Sequence, residues 1–248
     1  MVNEEDGNTN LAHDSFEELR YIFEWSRNNR DYRQGDIVLI GGWVVHSFNP
    51  WKYSLDIDLI ATGRFKDLLQ RHLYWSRHYS RERNMDGSTI FLKSLNTGDI
   101  YLDFLPKIDQ FHGTKKSLNL MEIGYETVPK YISYSFKSRF QVIVPEISML
   151  LLLKLKAAWD RHYDLSLSTN HIRVHLQEKF DKDCGDIIAL LQSDAFQYAR
   201  FDWLSSMLSK FDFLQTFLKE GIIEIYSTSD RISKKDGKAL IKRLISLI

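Results

Sequence analysis

The chain holds 248 residues, 44% of them hydrophobic and 13% aromatic, with 12 Gly and 4 Pro. That composition excludes disordered, collagen-like and low-complexity classes and allows one large domain or two modest ones. Lys plus Arg and Asp plus Glu each number 33, so no global field draws the molecule onto polyanions, and any nucleic-acid contact must come from local patches.

A single cysteine, Cys184, excludes an internal disulfide, and the chain has no uninterrupted apolar run of about 18 residues that would suit a membrane span. The acidic first fourteen residues lack the basic and apolar blocks of a signal peptide. The expected setting is cytoplasmic and reduced, with no membrane partner.

In chain order, Asp14 opens an amphipathic pattern that predicts a capped helix running to about Asn28. Residues 36–40 form a short β-branched run that stops at Gly41-Gly42, after which residues 43–48 suit a helix, so strand, glycine turn and short helix are expected. Residues 55–60 alternate apolar and charged, which predicts a strand with Asp56 and Asp58 on one face. A helix is expected over 65–75. Strands are expected over 89–93 and 99–105, joined at Asn96-Thr97-Gly98, and β-rich sequence continues to Val144.

Beyond Pro145 the chain reads almost wholly helical, over 146–159, 172–191, 196–218 and 238–247. The fold class predicted is therefore α/β (α+β), a mixed sheet followed by a C-terminal helical domain. The expected division is 1–144 and 145–248.

Two carboxylates on one strand face lie about 7 Å apart at Cα and repel. At about 4 Å and an effective dielectric near 20, that repulsion is about 4 kcal/mol, and a divalent cation would reverse its sign. A solvated edge strand also carries Asp readily. The neighbouring Gly41-Gly42 adds weight, because glycines at a helix start let amides approach an anion. Asp103, a single acid in the apolar run 101–105, is a third candidate, since a lone buried carboxylate is costly. Three converging acids of this kind would hold Mg²⁺ (or Mn²⁺) and bound phosphates.

Gly41-Gly42-Trp43, then Lys52, Ser54 and Asp56-Ile57-Asp58, and later Asp103, resemble the DNA polymerase β-type nucleotidyltransferase superfamily, within it the AbiEii-like group that includes many toxins of toxin–antitoxin systems. The resemblance implies a second motif in the helical half. Lys154-Leu155-Lys156-Ala157 with Arg161, and Lys182-Asp183 with Asp186, match it.

What the resemblance implies is a nucleotidyltransferase fold and transfer of a nucleoside monophosphate from a nucleoside triphosphate to a hydroxyl, with release of pyrophosphate. Asp56, Asp58 and Asp103 would hold metal and act in catalysis, Gly41, Gly42 and Ser54 would receive the nucleotide, Lys154 would neutralise its phosphates, and Asp183 would position base, ribose or acceptor. The helical domain would complete the cleft. The implied acceptor is a tRNA 3′ end or a protein hydroxyl, and a cognate antitoxin is the implied partner. Neutral net charge also keeps open a small, aminoglycoside-like acceptor, and a non-catalytic nucleotide-binding module is the remaining alternative.

Residues 64–83 hold six Lys or Arg against Asp67 and Glu82, and residues 231–243 form a second basic segment, either of which could hold RNA or be a solvated face. The tail from Ile232 is expected to pack its Leu and Ile onto the helices. His171 and His175, spaced i and i+4, lack the Glu of a zinc hydrolase motif, and Cys184 reads as a packed thiol.

Overall fold

The computed structural model describes residues 4–83, 89–135, 138–220 and 233–248, with side chains at 4–8, 170, 171 and 234 outside that description. His171 and Arg231 therefore lie outside the described side chains. The fold is mixed α/β, with a helical C-terminal region. None of the helices among the described residues is long and apolar enough to cross a membrane.

The chain divides into two units, residues 1–107 with 127–145, and residues 108–126 with 146–248. Pro145 is thus one of three points at which the chain changes unit. Residues 108–126, grouped in sequence with the first domain, belong with the helices.

The first unit begins with α1 (Glu4–Asn28). Helix extends well upstream of Asp14, because Leu11 and Ala12 already belong to the buried face. Asp14 is no cap: its carboxylate accepts the Thr97 hydroxyl at 2.5 Å. Next come β1 (Ile37–Ile40), α2 (Gly41–Phe48), β2 (Ile57–Ala61), α3 (Gly63–Arg77), β3 (Ser80–Arg83), β4 (Thr89–Leu95) and β5 (Gly98–Phe104).

The five strands order as β1-β2-β5-β4-β3. β2 and β5 run parallel, and the other pairs are antiparallel. Ile57, Leu59, Leu102, Phe104 and Phe91 are buried, and they share one sheet face by the period-2 alternation of a strand. Lys93 belongs to that face too, and its ammonium meets Glu18 of α1 at 2.5 Å, so α1 covers this side. Arg77 also pairs with Glu18, and Tyr79 donates to its other oxygen at 3.3 Å. Burial, then the Glu18 charge, pushes the Tyr79 phenol far up. A hairpin of β8 (Thr127–Ser135) and β9 (Ser138–Pro145) completes this unit.

In the second unit, β6 (Ile108–Gln110) and β7 (Ser117–Asn119) form a small antiparallel pair followed by α4 (Leu120–Ile123). Then follow α5 (Ile147–Leu167), α6 (Asn170–Gln192), a 3₁₀ turn at Asp194–Tyr198, α7 (Phe201–Lys210), α8 (Asp212–Glu220) and α9 (Lys234–Leu247). The helix expected over 196–218 is thus three pieces. Glu146 caps α5 by accepting the amides of Ser148 and Met149 at 2.8 and 2.9 Å. α9 buries Ile241 and Leu244 and packs against α6 and α8, as expected of the tail.

The small β6–β7 pair is fastened to α5 by charge and shape. Lys156 bridges Asp109 at 2.7 Å and Asp160 at 2.5 Å, and Asp160 accepts the His112 amide at 2.9 Å. Burial raises the Asp160 pKa, opposed by Lys156 and the His112 amide. Gly113 sits at φ +71 so close to Tyr163 that a Cβ there would meet the ring at 2.1 Å. These contacts explain why residues 108–126 side with the helices. The signal for Lys156 was present in sequence, a Lys and an Asp at i and i+4 on one helix, Lys156 and Asp160.

Candidate functional site

β1 ends in a corner. Ile40 pairs with Asp58, and the next residue, Gly41, takes φ +74, a conformation that costs other residues roughly 1–2 kcal/mol. Space makes the same demand. A Cβ on Gly41 would lie 1.9 Å from Oδ2 of Asp58, so the Asp58 carboxylate rests directly against the bare Cα of the corner. From that corner α2 starts at once, and its N-cap, Ile40, gives no side-chain hydrogen bond to the first amides. Gly42, the following residue, is buried at the base of this helix.

Asp58 stands opposite Asp103 in the parallel pairing of β2 and β5. Residues so registered point to the same face, with strands about 4.8 Å apart. That face is the one opposite Leu59 and Leu102, so the two carboxylates project away from the α1-covered core. Both are half-buried. One oxygen of Asp103 accepts the amide of Phe104 at 2.7 Å, which fixes the orientation of its carboxyl group. Tyr101, two residues earlier and on the same face, is 40% exposed.

Asp56 departs from expectation. The strand begins at Ile57, and Asp56 occupies the bend before it. The ladder to β1 stops at the pairing of Ile40 with Asp58, because the next residue, Gly41, opens α2. The buried Ser54 hydroxyl instead donates to the Asp56 carbonyl at 3.1 Å. Among the described residues, no group of three or more His, Cys, Asp or Glu is arranged to hold a metal ion. The backbone therefore builds a registered pair, with Asp56 just upstream.

Trp43 buries its indole fully and donates to Ser15 at 3.0 Å, tying α2 to α1. Along the same helix, His46 packs 4.9 Å from Tyr53, which in turn packs 4.8 Å from Tyr134. These contacts hold the loop that carries Lys52, Tyr53 and Ser54.

In the helical unit, Lys154 of α5 meets Asp183 at 3.2 Å and Asp186 at 2.6 Å, both on α6. All three are at least nine-tenths buried. Of the second motif, Lys154, Asp183 and Asp186 thus form one cluster, while Lys156 turns instead to Asp109 and Asp160. Cys184 lies beside it, where burial, then Asp183, Asp181 and Asp186, pushes the thiol up; a protonated thiol is a poor nucleophile. Compared with protein-family models and with curated proteins, the chain matches none.

Proposed function

We propose that the carboxylate pair and its glycine corner are the reactive centre of a nucleotidyltransferase of the polymerase β type. In this reading an acceptor hydroxyl attacks the α-phosphorus of a nucleoside triphosphate in line, the new P–O bond forms, and pyrophosphate leaves. The observation that carries it is the contact of the Asp58 carboxylate with Gly41 while Asp58 stands in register with Asp103.

Each residue then has a task. Gly41 and Gly42 bring backbone amides and the start of α2 to an anion without side-chain obstruction. The donor set suits a hard divalent cation such as Mg²⁺ or Mn²⁺, because Asp58 and Asp103 offer carboxylate oxygens from adjacent strands and Asp56 lies two residues from Asp58. Such an ion, when bound, neutralises phosphoryl charge and acidifies a coordinated hydroxyl. In this reading Asp103, whose carboxyl group is oriented by the Phe104 amide, accepts the acceptor's proton. Ser54 holds the Asp56 loop in shape. Lys154 and Asp183, implied by the resemblance in the same chemistry, have a structural duty with Asp186.

The test is incubation with each triphosphate labelled at the α-phosphorus, Mg²⁺, total tRNA, candidate protein acceptors and a panel of small hydroxyl compounds. Label appearing on one acceptor class, and lost with Asp58→Asn, supports the reading. Binding of triphosphate without transfer to any of them favours a nucleotide-binding module. Undiminished transfer by Asp58→Asn refutes the metal site.

A further inference from the structure

Away from the carboxylates, α3 and the edge strand β3 present a surface that the reaction above does not use. β3 reads Ser-Arg-Glu-Arg, and all four residues are exposed. It lies two strands from β5, as the last strand of the sheet. His78, in the left-handed region at φ 59, ends α3 and turns the chain into β3, bringing the last turn of the helix beside the strand.

The basic residues here are not equivalent. Arg77 is engaged by Glu18 and lies 4.0 Å from the Tyr21 ring centroid. Arg64 meets Asp31 at 3.5 Å. Arg71, Arg81 and Arg83 are exposed and form no ion pair among the described residues. Two large aromatics lie among them: Tyr74 is 41% exposed and Trp75 is 74% exposed, edge to face at 4.9 Å. Arg81 holds its guanidinium 5.5 Å from the Tyr74 ring and 5.3 Å from Phe91. Arg71 and Trp75, four residues apart, share a helix face.

We infer that this α3–β3 edge is a binding surface for a single-stranded polynucleotide. Guanidinium groups meet the phosphates, and the exposed ring faces stack on unpaired bases. An acidic peptide would use the charges but would leave Trp75 and Tyr74 without a partner chemistry, so the aromatics decide between the two. The surface is separate from the carboxylate pair. Arg81 pairs with Phe91, which pairs with Leu102, and Leu102 adjoins Asp103, so Arg81 and the carboxylates project from opposite faces of the sheet. The inference does not depend on nucleotidyl transfer.

Fluorescence anisotropy with labelled single-stranded RNA and DNA of about 12 nucleotides, a matched duplex and polyglutamate tests it. Single strands should bind better than the duplex, and polyglutamate should not compete. Trp75→Ala should weaken binding about 5- to 100-fold, in line with the loss of one stacked base. The double variant Arg81→Glu, Arg83→Glu should lower the slope of log affinity against log salt by about 1.4. Asp58→Asn should bind as wild type does, which separates this surface from the reaction. The RNA and DNA arms report whether the 2′-hydroxyl contributes. Binding unchanged in both surface variants, or equal binding of duplex and polyglutamate, would overturn the inference. Circular dichroism of each variant guards against loss of fold, a small risk at side chains this exposed.

Discussion

The Asp58 carboxylate lies against the Cα of Gly41, one residue past its own ladder partner Ile40. Two requirements coincide at that glycine, a positive φ and the absence of a side chain. Gly41→Ala should therefore cost roughly 1–2 kcal/mol from backbone conformation alone and also displace Asp58. Urea unfolding should show the stability loss, and transfer should fall further than stability explains. A variant with reduced stability and full turnover would mean that Asp58 need not sit where it does.

Asp58→Asn and Asp103→Asn keep side-chain shape and remove charge. Under the proposed reaction, each should lower turnover by a factor on the order of 10²–10³ or more, comparable to loss of a transition-state contact. Pyrophosphate release measures this, and an unchanged circular dichroism spectrum shows that the sheet survives. Asp99→Asn, at an exposed position four residues from Asp103, is the matched control and should be silent.

Lys154 is held between two carboxylates inside the helical unit. Removing one member of a buried ion cluster leaves charge in a poor solvent, at a cost of about 3–5 kcal/mol. Lys154→Met should show this as a lowered urea midpoint. Asp194→Asn, outside the cluster, should leave the midpoint near that of wild type.

His72 stacks on Trp25 at 4.0 Å and shares a 3.0 Å hydrogen bond with Tyr21. Desolvation, then Arg77, lowers its pKa. A depressed imidazole contributes stability that is complete above the ordinary value of about 6.5 and is lost as pH falls through the folded-state value. Between about pH 8 and pH 5 the wild-type urea midpoint should fall more than that of His72→Phe, which keeps a ring on Trp25. Parallel curves would show that His72 does not carry the acid sensitivity.

Much of this was legible in residue order. The β-branched run before Gly41-Gly42 announced β1, the corner and α2, and alternation around Asp58 announced β2 with one buried face. The pairing of β4 with β5 followed from Asn96-Thr97-Gly98. What escaped was structure set by neighbours rather than by local pattern. Ser80–Arg83 has no apolar alternation and is a strand only because β4 lies beside it. Asp56 alternates correctly with Asp58, yet the strand starts only at Ile57 and Asp56 lies in the bend before it. Residues 108–126 contain short pieces whose stability comes from Lys156, Asp160 and Tyr163 of a helix far along the chain.

That last dependence bears on how the molecule is made. During synthesis, the stretch 108–126 leaves the ribosome before α5, the helix it docks on, so it must wait without its anchor until Lys156 and Asp160 emerge. A fragment cut after Pro145 would strand those nineteen or so residues for the same reason. The two halves are interleaved by connectivity and cannot be separated by a single cleavage, so shuffling them between proteins would require exchanging the 108–126 insert together with the helices.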